Sequence, residues 1–251
     1  MSTAPFAANI FTEFFKAAEI TPSTAWYLLG GVGQTCLLII GAMLIGLLLG
    51  LTLASFQVYG PAWSSRLVGI YIWFFRGIPI LVLMFLFYFG LSTQVEALVF
   101  AVFGIKVQIP AFLCAVTVLG LCSTAYQSQI FRGAMQSIPA GQFKAAKALG
   151  MSHVGAVRTI IIPQTLRISI PAWSNEYSIL LKDSAIAYVI GVAEIMSRFK
   201  AVAATNHKTL LMYVLAGIIY FILTWIGVKL LLLLHEKIRI PGLAEVETGG
   251  Y

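Results

Sequence analysis

Three long stretches of this 251-residue chain carry no charged side chain, and they constrain its fold more than any other feature. The stretches cover residues 21–65, 77–95 and 107–131. Within the first, Cys36 to Phe56 supplies 21 uncharged residues. A helix of that length, rising about 1.5 Å per residue, covers a hydrocarbon layer of roughly 30 Å. With 60% hydrophobic and only 10% charged residues, the chain has more apolar surface than a water-soluble domain can bury. The sequence therefore predicts an all-α membrane protein.

Turn and breaker residues divide the apolar sequence into about five predicted membrane-spanning helices. Their predicted ranges are 33–57, 66–91, 111–136, 165–196 and 210–234. The second range is interrupted by Arg76-Gly77-Ile78-Pro79, and the polar residues 92–110 are predicted to connect it to the third. The first range carries small residues that predict close approach of a neighbouring helix, namely Gly41, Gly46, Gly50 and Ala54.

The chain is predicted to form one membrane domain with short terminal segments. Residues 31–236 form the membrane domain, residues 1–30 an extracytoplasmic N-terminal segment, and residues 237–251 a cytoplasmic tail. Phe6, Ile10 and Phe14 recur at every fourth position, which indicates a short amphipathic helix on the membrane surface, although a loosely ordered tail is an alternative. The first 19 residues lack the regions of a signal peptide and are expected to be retained.

Basic residues predict the orientation of the chain in the membrane. Nine of them lie on the side that holds the C-terminus, and five lie on the other side. The clearest excess falls in the loop between the third and fourth predicted spans. Because cytoplasmic loops of membrane proteins carry more Lys and Arg, we expect this loop and the C-terminus in the cytoplasm and the N-terminus outside.

That loop, residues 137–163, is the most polar stretch between predicted spans, and it is predicted to contain two short helices. Ser137 can cap the first and Pro139 can begin it, and Gly150 suits its left-handed C-terminal position. Ser152 can cap the second, which is expected to end before Pro163. The first helix has a face with little side-chain bulk, formed by Ala145, Ala146 and Ala148. Another protein could therefore approach its backbone, although a solvated connector is the alternative.

The spacing in this 137–163 loop resembles that of permeases in ATP-binding-cassette importers. In that family a Glu-Ala-Ala triplet precedes a glycine and then Ile-x-Leu-Pro, and here Gly150 and Ile160-Ile161-Ile162-Pro163 fall at those places. Phe75-Arg76-Gly77-Ile78-Pro79 resembles the Phe-Arg-Gly-Thr-Pro segment of the polar amino-acid uptake branch. Further similar motifs are Ala125-Tyr126, Arg132-Gly133, Gly141-Gln142 and Leu181-Lys182-Asp183. The resemblance covers residues 31–236 and departs from the family at two positions, where Lys144 and Gln129 replace glutamates.

The resemblance implies the fold of a type I ABC importer permease and a division of labour between subunits. The 137–163 loop would dock into a separate cytoplasmic ATPase, which binds the ATP, and the permease itself would be non-catalytic and need no cofactor. Further implied partners are a second permease subunit, identical or related, and an extracytoplasmic solute-binding protein. The residues implied in coupling are Pro139, Gly141, Gln142, Lys144, Ala145, Ala146, Gly150, Ile162 and Pro163. The chain has no phosphate-binding Gly-x4-Gly-Lys-Ser/Thr motif of its own.

Ionisable residues within apolar spans mark candidate positions on the solute pathway. Such residues cost about 2.5–3.5 kcal/mol on insertion scales and therefore tend to face a pathway or a partner. The ionisable candidates are Arg76, Glu176, Lys182 and Asp183, and the polar Asn175 beside Glu176 is added to them. Asn175 and Glu176 are preferred because they lie near an expected helix break, and Lys182 and Asp183 better suit helix packing or gating. An internal ion pair remains an alternative for each charge.

Two other classes of protein were compared with the importer permease. A self-contained secondary transporter or channel would account for the spans and the buried charges, but it would have little use for the ordered 137–163 loop. An intramembrane enzyme is disfavoured because the sequence has no His-Glu-x-x-His motif and no metal-like spacing of histidines. We therefore expect the permease subunit of a polar amino-acid importer in a bacterial plasma membrane. The sequence does not identify the amino acid.

Overall fold

The computed structural model describes residues 20–238, and this part of the chain is helical, with no β-strand. It confirms the predicted all-α fold. In chain order the helices are α1 (Pro22–Tyr59), α2 (Ala62–Gly77), α3 (Ile80–Phe103), α4 (Ala111–Ser137), α5 (Ala140–Ala148), α6 (His153–Ala156, Val157–Ile161 and Ile162–Ile168), α7 (Ile170–Asp183), α8 (Ile195–Asn206) and α9 (Thr209–Ile238). The turns at Leu86–Leu91 in α3 and Val157–Ile161 in α6 are π-helical, and a 3-10 turn, Ser184–Ile190, follows α7.

Within residues 20–238, four helices are long and apolar enough to cross a membrane: α1, α3, α4 and α9. The predicted spans 33–57, 111–136 and 210–234 lie inside α1, α4 and α9. The side-chain oxygen of Thr21 accepts a hydrogen bond from the Thr24 amide at 3.2 Å, so Thr21 caps α1. The amphipathic segment predicted around Phe6–Phe14 and the predicted tail beyond Ile238 lie outside the described residues.

Helices α1 and α4 pack closely through the small residues predicted for this purpose. A Cβ atom added at Gly41 would lie 2.8 Å from Val116, and one added at Gly120 would lie 2.8 Å from Ile45. Ala54 is fully buried in the same interface. Because neither helix has side-chain bulk at these points, the two backbones approach each other, and α4 becomes the central helix of the fold.

The predicted second span, 66–91, is not one helix. Helix α2 ends at Gly77, Ile78 is extended, and α3 begins at Ile80, because Pro79 lacks an amide hydrogen and disfavours a helical residue before it. The prediction of a connector over 92–110 was also wrong, since α3 continues to Phe103. Ser92 and Thr93 donate their hydroxyl hydrogens to carbonyls one turn back, so they do not end the helix.

The predicted fourth span, 165–196, is divided into three pieces. Helix α6 ends at Ile168, α7 has 14 residues, and the 3-10 turn ends at Gly191, which has a φ of 91°. None of these pieces is long enough to be a continuous span. Polar residues and Pro171 interrupt the apolar sequence here, as expected. The backbone nevertheless stays helical across Ser169, whose amide donates to the Thr165 carbonyl at 2.9 Å and whose carbonyl accepts from the Trp173 amide at 2.8 Å.

A buried carboxylate fixes the end of the bundle at which α1 begins and at which α8 meets α1 and α9. We call this the far end of the bundle. Glu194 is fully buried and accepts hydrogen bonds from the amides of Met196 at 2.7 Å and Ser197 at 2.6 Å. The Tyr220 hydroxyl on α9 donates a third bond to it at 2.7 Å. Glu194 thus caps α8 and ties it to α9.

Candidate functional site

The 137–163 loop folds as two helices at one end of the bundle, as predicted, but its boundaries differ from the prediction. Gly150 has a φ of 82°, and the Ser152 hydroxyl accepts a bond from the Gly155 amide at 3.0 Å, so both predicted turn residues act as expected. Ser137 does not cap α5; it ends α4 and donates to the Ala134 carbonyl. Pro139 occupies the capping position instead.

Pro163 does not end the second helix of the loop, contrary to the prediction. The π-helical turn Val157–Ile161 lies immediately before it, and Ile162 and Pro163 form the first turn of the helical segment that runs to Ile168. A proline is tolerated in the first turn of a helix, because its missing amide hydrogen would have no partner there. The π-helical turn removes the regular backbone hydrogen bonds one turn earlier, so helix α6 continues past Pro163.

Aromatic rings attach the loop to the end of α1. The rings of Tyr59 and Phe143 are 5.2 Å apart, and those of Phe143 and His153 are 5.1 Å apart. The Nε2 atom of His153 also lies 3.0 Å from the Tyr59 carbonyl oxygen. On the other side, the Gln164 side-chain amide donates to the Gln142 side-chain oxygen at 2.6 Å. Both helices of the loop are therefore held against the bundle and against each other.

The alanines predicted to form one open face on α5 differ in their exposure. Ala146 is only 5% exposed and packs against this chain, whereas Ala145 and Ala148 are exposed. Leu149, at the end of the helix, is 84% exposed, and Val154 on the second helix of the loop is 72% exposed, so the loop presents apolar side chains that a partner could cover. The free surface of the loop therefore consists of Ala145, Ala148 and Leu149, and Ala146 belongs to its base.

The remaining coupling candidates lie around this free surface. Pro139, Gly141, Gly150 and Pro163 are exposed, and Gln142 and Ile162 are half-buried. Lys144 and Lys147 are exposed beside Ala145, and no acidic residue occurs between Glu96 and Glu176, so the loop surface is basic. The other departure from the family, Gln129, donates to Gln57 at 2.9 Å and joins α4 to α1 inside the bundle.

A second candidate site lies inside the bundle and centres on Glu176, which is 4% exposed. The Ser123 hydroxyl on α4 donates to Glu176 Oε1 at 2.6 Å. The Gln127 side-chain amide donates to the Ser123 oxygen at 3.0 Å, and the Trp173 indole N–H donates to Gln127 Oε1 at 2.7 Å. We call these four residues, Glu176, Ser123, Gln127 and Trp173, the Glu176 cluster.

The Glu176 carboxylate has no cation paired with it inside the described chain. Within residues 20–238, no lysine, arginine or histidine forms an ion pair with it, and its Oε2 atom accepts no hydrogen bond. A buried carboxylate is costly unless it is paired with positive charge. The geometry therefore offers one anchored and one unpaired carboxylate oxygen, which suits an ammonium or guanidinium group.

The structure brings two more of the predicted pathway residues toward Glu176. The guanidinium of Arg76, at the end of α2, lies 4.7 Å from the centre of the Tyr126 ring, about one turn of α4 from Ser123, and Asp183 lies about two turns from Glu176 along α7. Asn175 and Lys182 are exposed on other faces of α7. Arg76, Glu176 and Asp183 thus form one group, which Asn175 does not join.

Sequence reasoning missed Ser123, Gln127 and Trp173. The available signal was an amide and two hydroxyls at positions 123, 124 and 127 inside an otherwise apolar span. Polar side chains in such spans usually bond to a neighbouring helix. The sequence did not show which helix supplied the partners.

Comparisons with known proteins give one matching family and several similar relatives. Residues 46–240 match the family described as binding-protein-dependent transport system inner membrane component. The chain is 34% identical over 208 residues to the octopine transport system permease protein OccM of Rhizobium radiobacter, an alignment covering 83% of this chain and 84% of that protein. It is 33% identical over 208 residues to the arginine ABC transporter permease protein ArtM of Haemophilus influenzae, covering 83% and 90%.

A solved structure shares both fold and sequence with this chain. The crystal structure of an amino acid ABC transporter with histidines contains a chain that matches it with a TM-score of 0.70 and 33% identity. The match covers 85% of this chain and 95% of that one.

Proposed function

Because the chain belongs to the family of binding-protein-dependent transport system inner membrane components, we propose that its loop and its buried carboxylate serve ATP-driven import of an amino acid. The chain is a multi-pass inner-membrane permease subunit of an amino-acid ABC importer. This membership favours the importer permease over a self-contained secondary transporter or channel. Importers of this family also contain ATP-binding subunits and a solute-binding protein.

The exposed part of the 137–163 loop is the surface that docks on the ATPase. The supporting observation is an apolar side chain, Leu149, projecting 84% exposed from a basic loop whose base is fixed by aromatic packing and a glutamine pair. Such a rigid projection can transmit force when its tip is held by a moving partner. ATP is bound by the partner, and this chain supplies neither a phosphate loop nor a cofactor.

Substitution of Ala145 by tryptophan tests the docking surface. Ala145 is exposed on the free face, so the bulky side chain fits the isolated permease and obstructs only a closely apposed partner. We expect normal membrane insertion with at least a tenfold loss of ATP-driven uptake in proteoliposomes. Ala62→Trp is the matched control, because Ala62 is an exposed alanine next to the end of α1 but outside the loop. Full uptake by Ala145→Trp would refute docking through this face.

The amino-acid cargo passes Glu176. Its unpaired carboxylate oxygen binds the positive group of the cargo, and Arg76 is placed to attract a carboxylate, so the two charges together suit an amino acid. Lys182 and Asp183 serve packing or gating beside this position, and Asn175 faces elsewhere. Which amino acid is carried depends on the rest of the pathway.

Replacement of Glu176 by glutamine tests the pathway assignment. The amide keeps the size and the bond from Ser123 but removes the negative charge. We expect uptake of arginine, histidine, glutamine or glutamate by the assembled importer to fall or to change in preference, with insertion and basal ATP hydrolysis retained. Unchanged uptake and preference would remove Glu176 from the pathway.

The orientation proposed for the chain has the N-terminus outside and the 137–163 loop and C-terminus in the cytoplasm. It rests on the excess of basic residues on the loop side and on a docking surface that must face the ATPase. The permease works as a dimer with an identical or related subunit, because one copy encloses a pathway incompletely. Labelling of single cysteines at positions 150 and 207 from either side of the membrane tests the orientation.

A further inference from the structure

Gln127 is the least expected member of the Glu176 cluster. It is fully buried within α4, where an unpaired amide would be costly. Every polar atom of its side chain has a partner. The nitrogen donates to the Met43 carbonyl at 3.3 Å and to Ser123 at 3.0 Å, and the oxygen accepts from Trp173 at 2.7 Å.

The chemistry of these partners fixes the direction of each hydrogen bond. An indole N–H only donates, and a carbonyl oxygen only accepts, so the Gln127 amide can be oriented in one way alone. Ser123 then accepts from Gln127 and has its own hydrogen available for Glu176 at 2.6 Å. The hydrogen bonds therefore all run in one direction, from Trp173 through Gln127 and Ser123 to Glu176 Oε1. The Oε2 atom is left free.

Helix α1 contains a glycine at the one place that this amide requires. A Cβ atom added at Gly46 would collide with the Gln127 nitrogen. One added at Gly50 would lie 3.1 Å from the Gln127 Cβ. The sequence predicted that these glycines serve only helix packing. Gly46 also leaves the space in which the Gln127 amide sits.

Trp173 connects this series of hydrogen bonds to the base of the 137–163 loop. Its side chain packs against the apolar cluster that contains Ala54, Phe131, Met135, Ile138 and Ile161. Ile160, Ile162 and Phe143, all from the loop, pack on the same cluster. One side chain therefore packs on the apolar cluster that also supports the loop, and it donates to the amide that orients the Ser123 hydroxyl.

We propose that Gln127 is a positioning residue that, held by Gly46 and Trp173, orients Ser123 and thereby holds the Glu176 carboxylate toward the cargo. This inference rests on the proposed function, in which Glu176 contacts the cargo. Displacement of the loop would reach Glu176 through Trp173 and Gln127. Gln127 thus determines how tightly, and with what preference, cargo is bound.

The test uses the assembled importer, with its ATPase and binding protein, in proteoliposomes supplied with arginine, histidine, glutamine or glutamate. Gln127→Leu removes the Gln127 amide. Trp173→Phe removes the indole donor to that amide together with part of the ring that packs on the apolar cluster. Gly46→Ala displaces the amide from the side of α1. Gly33→Ala is the matched control, because a Cβ at Gly33 on the same helix meets nothing within 4 Å. We expect Gln127→Leu and Gly46→Ala to raise KM roughly tenfold or to change cargo preference, and Trp173→Phe to do so less. Membrane insertion should be retained in all three variants, and Gly33→Ala should match the wild type in uptake and in basal ATP hydrolysis.

Two results would overturn the proposal, and Glu176→Gln separates them. If Glu176→Gln alters KM or preference while the Gln127 and Gly46 variants change only yield or maximal rate, Gln127 is structural and the pathway assignment stands. If Glu176→Gln also has no effect, the pathway assignment fails and the positioning role fails with it. Should Gln127→Leu not fold, Trp173→Phe and Gly46→Ala decide between the same outcomes.

Discussion

The Tyr220 hydroxyl is predicted to stabilise the far end of the bundle measurably. It donates to the fully buried carboxylate of Glu194 at 2.7 Å, and the same carboxylate caps helix α8. In Tyr220→Phe the ring keeps its packing, but one buried carboxylate oxygen loses its side-chain donor. Only the hydrogen bond changes, so the cost can be assigned to it.

The expected cost follows from the charge of the acceptor and its burial. Hydrogen bonds to charged groups contribute about 1.5–3 kcal/mol, and a buried acceptor has no water to replace the donor. A loss of about 2 kcal/mol corresponds to a fall in melting temperature of about 4–8 °C for a chain of this size. Glu194→Gln should remove much of the same stabilisation, so the double variant should be less destabilised than the sum of the single variants.

Thermal unfolding of the purified complex, followed at one fixed heating rate, measures the effect. Tyr213→Phe is the matched control, because Tyr213 lies on the same helix and its hydroxyl makes no hydrogen bond within residues 20–238. Equal melting temperatures for the two variants would refute the assigned role of the Tyr220 hydroxyl.

Three further predictions concern the 137–163 loop. Gly150→Ala puts a Cβ at a φ of 82°, which should destabilise the folded loop by about 1–2 kcal/mol. Trypsin should therefore cleave at Lys147 faster in this variant than in Gly141→Ala, and equal cleavage rates would contradict the prediction. Ala146→Leu overfills a buried position and should destabilise the complex by about 1–3 kcal/mol, whereas the exposed Ala148→Leu should leave the melting temperature unchanged. Lys144→Glu should reduce capture of the ATPase by the tagged permease at low salt, and the loss should shrink as ionic strength rises; equal capture at every salt concentration would exclude an acidic docking cleft.

The sequence by itself determined the features that depend on neighbouring residues. Long apolar stretches predicted α1, α4 and α9 because hydropathy over about 20 residues is a local property. Gly150 and Ser152 were assigned their turn and cap correctly because the conformations that they favour are intrinsic to those residues. The order of motifs likewise pointed to the family that the comparisons showed.

Local signals failed where two tendencies competed in the same segment. Ser92 and Thr93 suggested a connector, but inside an apolar helix their hydroxyls bond to the preceding turn. Pro163 suggested a helix end, but a π-helical turn before it accommodates the proline. The alanines of α5 suggested one open face, and only contact with the rest of the chain decided that Ala146 is covered while Ala145 is free.

Only the tertiary structure decided which polar residues meet. Ser123 and Glu176 are 53 positions apart, and Gln127 and Trp173 are 46 apart, so no periodicity in the sequence relates them. Their contact depends on the packing of α7 against α4. Hydrogen bonds between side chains form over about 3 Å, a distance that helix packing sets and sequence spacing does not.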